Sequence, residues 1–177
     1  YSAAMVANLL DAESVAIWKD VDGILNADPR RFSDTVHIPE LTYLDAIELA
    51  YSGAQVIHPK TIKPLQNKGI PLYVRPFGDR NKPGSVIRAE VTQGIHIPVL
   101  ILKEHQTLVT IRPKDFSFVL EERLADIFAV FRSHRIKINM IQSSAVSLSL
   151  CVDDARGLHE AVETLQQDFR VMYNGHM

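Results

Sequence analysis

The spacing of apolar positions changes repeatedly along the first ninety residues. Ala3, Val6, Ala7 and Leu10 recur at helical intervals and predict a helix over 2–11. SVAIW then reads as a strand, followed by the polar stretch DVDGILNADPR. TYLDAIELAYSGA predicts a second helix with Leu44, Ile47, Glu48 and Tyr51 setting its period. Thr42 is its candidate N-cap, with Asp45 three residues on as a weaker capping box, and Gly53 ends it. VIHPKTIKPLQNKG predicts a short third helix that tolerates Pro59 in its first turn and is limited or kinked by Pro64. IPLYVRP is a strand. Strands alternating with helices predict an α/β sheet with parallel pairs. FGDRNKPGSVIRAEVTQG holds most of the local Gly and Pro and reads as loop and linker.

The second segment has a different rhythm. QTLVTIRP alternates as a strand. LEERLADIFAVFRSHR is an amphipathic helix with Leu124, Ile127, Phe128 and Phe131 on one face. INMIQ and AVSLSLCVDD are strands separated by a tight turn. ARGLHEAVETLQQ is a helix with Leu158, Ala161, Val162 and Leu165 inward, and FRVMYN is a final strand. This order is the ferredoxin-like βαββαβ unit. IPVLILK, residues 97–103, is an extra strand that the unit does not use.

Composition narrows the class. The 177 residues are 46% hydrophobic and 23% charged, ordinary for a soluble globular protein. A net charge of −2 gives no electrostatic case for nucleic acid or an anionic membrane. No apolar run is long enough to span a bilayer, and YSAAMVANLLDAE lacks the basic region of a signal peptide. The single cysteine, Cys151, lies in an apolar run and reads as a buried thiol. It cannot form an internal disulfide, and the expected location is cytoplasmic. The first helix is already running at Tyr1 and RVMYNGHM reads as a strand cut short, so the sequence is expected to come from inside a larger protein.

WKDVDGILNADPR carries the most suggestive chemistry. An EF-hand loop needs Gly at its sixth position and Glu at its twelfth. Counting from Asp20, Gly23 is fourth and Arg31 twelfth, which excludes that loop. Ligands of α/β sheets sit beyond the carboxyl ends of strands, where this loop lies. Gly23 permits close backbone approach, Lys19 and Arg30 are suited to phosphate, and Asp20 to sugar hydroxyls or an exocyclic amine. A solvated turn, stopped by Asp28-Pro29, accounts for the same residues.

WKDVDGILNADPR, IPELTYLDAIELAYSGAQVIHP and GIPLYVRPFGDRNKPGSVI, in that order, resemble the carboxyl half of the aspartokinase catalytic domain. The βαββαβ unit that follows resembles the ACT regulatory domain of those enzymes. The resemblance implies residues 1–90 of an amino-acid-kinase domain (an αβα sandwich), a linker and orphan strand over 91–104, and an ACT domain over 105–177. The implied reaction moves the γ-phosphoryl of ATP, with magnesium, to the β-carboxylate of L-aspartate, the first step toward lysine, threonine, methionine and isoleucine. The implied nucleotide contacts are Lys19, Asp20, Leu25, Arg30 and Gln55, the last standing where many members have lysine. The family's Lys-Phe-Gly-Gly and Gly-Arg-Gly-Gly-Ser-Asp motifs are absent from this sequence, so these residues alone are expected to be inactive and to hold no cofactor.

For the ACT domain the resemblance implies side-by-side homodimers and an amino-acid effector, lysine or threonine. Ile138, Asn139, Ser143 and Ser144 match contact positions. Asn139 and Ala145 stand where lysine-sensitive members often place Asp and Glu, which removes the charge complement of an ammonium group. Glu121-Glu122-Arg123 replaces the small Gly-containing turn that admits the ligand. VSLSLCV is expected at a sheet edge where pairing would hide it, and IPVLILK is expected to be disordered or paired with a neighbouring molecule. The reading from a different class is a free-standing amino-acid-binding ACT module.

The remaining candidates have bland explanations. His58-Pro59 reads as a helix-start turn, and Trp18, Met140 and Phe131 as core residues. His105 and His134 lack companions at metal-ligand spacing, so no metal site is expected.

Overall fold

The computed structural model describes residues 1–54, 57–92, 94–115 and 121–175, with only the backbone of Glu121 and Glu122. Two units divide the chain, Tyr1–Leu102 and Lys103–Met177.

The first unit is built on strands β1 (Val15–Lys19), β4 (Glu40–Thr42), β5 (Leu72–Pro76) and β6 (Ser85–Arg88), in the order β1-β5-β6-β4. A separate two-stranded sheet joins β2 (Ile24–Leu25) to β3 (His37–Ile38). The β1–β5 and β4–β6 pairs are parallel, but β5 and β6 run antiparallel. The sheet is therefore mixed. Strand β6 lies in the stretch expected to be loop and linker, where Pro83-Gly84 masked the short S-V-I-R alternation.

Helices α1 (Ser2–Leu9), α2 (Tyr43–Ser52) and α3 (Pro59–Gln66) share one core with Leu41, Leu72, Val74 and Ile87 of that sheet. The expected inward faces of the first two are displaced. Helix α1 buries Ala4 and Ala7 and exposes Val6 and Leu10, while α2 buries Tyr43 and Ala46 and exposes Leu44 and Tyr51. Ala4, Ala7 and Ala46 let the backbones approach closely beside the buried Tyr43 ring, and Val6, Leu10, Leu44 and Tyr51 fall outside. Helix α2 opens with a full capping box: Asp45 N–H donates to Thr42 Oγ1 at 3.1 Å, and Thr42 N–H donates to Asp45 Oδ2 at 3.0 Å. The His58 ring caps α3 by accepting from the Lys60 amide at 3.1 Å. Asn8 of α1 donates to the carbonyl of Pro64 in the last turn of α3 at 2.6 Å, supplying a partner that the helix end lacks.

Residues 97–103 form no strand. Ile95, Ile97 and Val99 pack on the core of the first unit, and Leu100 N–H donates to the Asn26 carbonyl at 2.8 Å. The segment thus packs on its own unit instead of extending as a strand.

The second unit runs β7 (Gln106–Pro113), α4 (Glu121–Ser133), β8 (Ile138–Ser144), β9 (Ser147–Asp153), α5 (Leu158–Gln166) and β10 (Phe169–Asn174). Its antiparallel sheet has the order β10-β7-β9-β8, the ferredoxin-like arrangement. Helices α4 and α5 bury Ile127, Phe131, Ala161 and Leu165 against Val109, Ile111, Leu148, Leu150 and Val152. Strand β9 is interior, so VSLSLCV is not an edge; β8 and β10 are. Met140, expected in the core, is 56% exposed on edge strand β8. Cys151 alternates onto the sheet face opposite Leu150 and Val152 and is only half buried. Among the described residues no helix is long and apolar enough to cross a membrane.

Candidate functional site

Parallel pairing of β1 and β5 sets the carboxyl ends of both strands side by side, with Lys19 opposite Pro76. Their following loops are then held together. Phe77 N–H donates to the Lys19 carbonyl at 2.6 Å, and Lys82 of the second loop meets Asp22 of the first at 2.8 Å. The Asp22 carboxylate holds the Lys82 ammonium above its ordinary pKa. This is the position at which α/β sheets receive ligands.

The structure brings Lys19 and Asp20 to this end of the sheet and places Leu25 half buried on β2. Arg30 folds back on Asp28, with Nε and Nη2 donating to the two carboxylate oxygens at 3.1 and 3.0 Å. Those hydrogen bonds hold Asp28 below its usual carboxylate range and raise Arg30, to which the charge of Asp20 also contributes. A phosphate reaching Arg30 would have to replace Asp28 in a surface ion pair, a cheap exchange. Gln55 lies outside the described residues.

Trp18 corrects its expected role as a core residue. It is 41% exposed, because β1 is an edge strand and alternation turns Trp18 away from the helices. The Arg75 guanidinium lies 6.0 Å from its ring centroid and 5.3 Å from that of Tyr73. Arg75 Nε is buried without a hydrogen-bond partner.

The loop is also anchored from below by residues that sequence reasoning missed. Ser85 Oγ accepts from Ile24 N–H at 2.8 Å, donates to the Ile38 carbonyl at 2.6 Å and lies 3.1 Å from His37 Nε2. Asn26 Oδ1 accepts from Val36 N–H at 2.7 Å. The one available signal was the inward alternation of Ser85 with Ile87, concealed within a Gly- and Pro-rich stretch.

In the second unit the four expected effector positions all fall on β8. Ile138 packs on the core, Ser143 is exposed, and Ser144 Oγ is 2.7 Å from Ser147 Oγ. Asn139 is engaged internally: its Nδ2 donates to Gln106 Oε1 at 2.6 Å and Asp153 Oδ1 at 2.7 Å, and its Oδ1 accepts from Lys103 Nζ at 2.7 Å. Lys103 also pairs with Asp153 at 2.7 Å. Burial pushes the Asp153 carboxyl up, but hydrogen bonds from Gln106, Lys103 and Asn139 outweigh it and bring it down to about 2. Glu121-Glu122-Arg123, expected to replace the turn that admits the ligand, form the start of α4, and the side chains of Glu121 and Glu122 lie outside the described residues. Among the described residues no group of three or more His, Cys, Asp and Glu side chains comes together as metal ligands.

The chain is similar to known proteins over most of its length. The amino acid kinase family matches residues 1–76. The lysine-sensitive aspartokinase 3 of Escherichia coli is 34% identical over 155 residues, covering 86% of this chain and 34% of that protein. Among solved structures, E. coli aspartokinase III in complex with lysine and aspartate (T-state) superimposes with a TM-score of 0.82 at 30% identity, covering 99% of this chain and 40% of that one. The same enzyme in complex with aspartate and ADP (R-state) gives 0.80 at 31% identity, covering 99% and 41%. The chain thus spans about a third or less of the curated relatives it matches.

Proposed function

Because the chain belongs to the aspartokinase family, we propose that it supplies the nucleotide side of an aspartate kinase, which phosphorylates the β-carboxylate of L-aspartate from ATP, together with its first ACT regulatory unit. The observation that carries this reading is the loop pair at the carboxyl ends of β1 and β5, in a chain whose fold is shared over 99% of its length with E. coli aspartokinase III. Lys19, Asp20, Leu25, Arg30 and Gln55 are the proposed nucleotide contacts. Lys19 and Arg30 would meet phosphate, Asp20 the nucleoside, and Leu25 would offer an apolar wall. Magnesium would enter with the phosphates, since it is usually held by one or two carboxylates together with substrate oxygens. Phosphoryl transfer is largely positioning and charge stabilisation, which needs the phosphate-loop and aspartate-binding motifs as well. The full-length protein carrying this sequence should form aspartyl phosphate, trapped as the hydroxamate, only with ATP, magnesium and aspartate. The 177 residues alone should form none. Failure of the full-length protein to do so would overturn the assignment.

For the second unit we propose a homodimer contact in preference to a lysine site. Asn139 is committed to Gln106, Asp153 and Lys103, and the positions Ile138, Asn139, Ser143 and Ser144 carry no carboxylate to meet a lysine ammonium group. Calorimetry with lysine and with threonine should show no heat at sub-millimolar effector, while sedimentation shows a dimer. Binding of either amino acid in that range would replace this reading with an effector site.

A further inference from the structure

Strands β2 and β3 form a two-stranded ladder of their own, with no ladder to the four-stranded sheet. Yet they carry the segment from Gly23 to Arg30, which holds two of the proposed nucleotide contacts. A buried hydroxyl joins this hairpin to β6. Ser85, 1% exposed, accepts from the backbone of β2 at Ile24 and donates to the backbone of β3 at Ile38. A serine has one proton to give, and here the Ile38 carbonyl takes it. His37 Nε2, 3.1 Å away, must therefore be the donor in the third contact, which fixes the ring with a proton on Nε2. The hydroxyl is then fully used: one proton donated, two accepted.

Gly23 is required by this contact, and Gly84 by the approach of β6 to β5 next to it. Gly23 has φ +138, and a Cβ there would lie 2.6 Å from His37 Nε2 and 2.7 Å from Ser85 Oγ. Gly84 has φ +66, and a Cβ there would lie 2.1 Å from the Val74 carbonyl oxygen. Only a residue without a side chain lets the loop close on the hydroxyl at Gly23, and only one lets β6 close on β5 at Gly84.

We infer that Ser85 is a positioning residue for the nucleotide loop: with His37 as its third partner, it latches the β2–β3 hairpin to β6 and so sets the place of Leu25 and Arg30. This rests on the nucleotide reading proposed above. It assigns no contact between Ser85 and substrate.

The test has two arms. In the 177-residue chain, Ser85→Ala should speed amide hydrogen exchange at Ile24 and its loop neighbours at least tenfold while leaving Val74 of β5 unchanged. Unchanged exchange at Ile24 overturns the latch. In the full-length protein, Ser85→Ala should raise the dissociation constant for ADP at least tenfold and leave the KM for aspartate within twofold, and Ser85→Thr, which keeps the hydroxyl, should recover part of the loss. An unaltered ADP constant in Ser85→Ala overturns the positioning role even where the wild type binds ADP. Absence of ADP binding by the wild type overturns instead the nucleotide reading, and with it the positioning role, while the exchange arm still judges the latch. Should Ser85→Ala not fold, His37→Ala at a half-buried site is expected to show the same two effects at smaller size, and no effect in either arm is decisive against the inference.

Discussion

The side-chain amide of Asn26 donates to the Pro98 carbonyl across 3.1 Å, and the Leu100 amide returns to the Asn26 carbonyl at 2.8 Å. A residue from the loop segment after β1 thus holds the stretch that the sequence suggested was an orphan strand. Alternation in that stretch is real, with Ile95, Ile97 and Val99 turned inward. Its partner is the core of the first unit rather than a sheet.

Replacing Asn26 by Ala should therefore loosen two segments at once. The change removes the donor to Pro98 and the acceptor for Val36 N–H at 2.7 Å. Both bonds are exposed, so about 1–2 kcal/mol of stability should be lost. Asn26→Asp keeps the acceptor and should lose about half as much. Urea unfolding followed at Trp18, the chain's one tryptophan, measures this as a lower midpoint at constant m. Equal midpoints for wild type and Asn26→Ala would refute the tie.

Legibility followed where burial was uniform. Leu124, Ile127, Phe128 and Phe131 could be read because α4 lies on a sheet and every apolar residue of its stripe meets it. In α1 and α2, Ala4, Ala7 and Ala46 are buried with Tyr43, and the alanines' size gives little hydrophobic signal beside the exposed Leu10, Leu44 and Tyr51. The loop after β1 was legible as a loop leaving the carboxyl end of a strand, from the polar run that follows SVAIW. Ser85 was not, because its role is created by two distant backbone groups and one side chain converging on one hydroxyl, which no local period encodes. Asn139 was legible as a polar position of β8, but its partners Lys103 and Gln106 lie more than thirty residues away.

Thr42→Ala tests the start of α2. The capping box satisfies the Asp45 amide and the Thr42 amide reciprocally, and Ala retains neither the acceptor nor the geometry. A loss of about 1 kcal/mol is expected, within the usual range for such caps. Denaturant midpoints for Thr42→Ala and Thr42→Ser should separate by about that amount, with Ser close to wild type. A Ser variant as unstable as the Ala one would mean that the methyl, and not the hydroxyl, matters here.

Gly84→Ala should be more damaging than either. Its positive φ strains any L side chain, and the obstructing atom is the backbone oxygen of Val74, which cannot swing aside. A loss of more than about 2 kcal/mol is expected from strain and displacement together. Gly69→Ala is the control: φ is +65 there as well, but nothing lies within 4 Å of the added carbon, so it reports backbone strain alone. Matching midpoints for the two variants would remove the steric part of the argument.

Acid should act on the second unit through Asp153. Its carboxyl stands at about 2 in the folded chain, below the unfolded value of about 3.9. A group whose pKa is lowered by folding stabilises the native state above its unfolded pKa, and that contribution is lost as pH falls through the folded value. The loss should therefore run from about pH 4 to about pH 2. Lys103, Gln106 and Asn139 all donate to this carboxylate, so its protonation weakens three contacts together. The side chain is 37% exposed, which limits the size of the effect. NMR of the Asp153 carboxyl carbon gives its titration directly, and amide signals of β7 and β9 follow the unit's stability over the same range. Asp153→Asn should flatten the stability profile between pH 4 and pH 2, and Lys103→Ala should move the carboxyl midpoint up toward 3.9. A midpoint already near 3.9 in the wild type would mean that Lys103, Gln106 and Asn139 do not hold this carboxylate in solution.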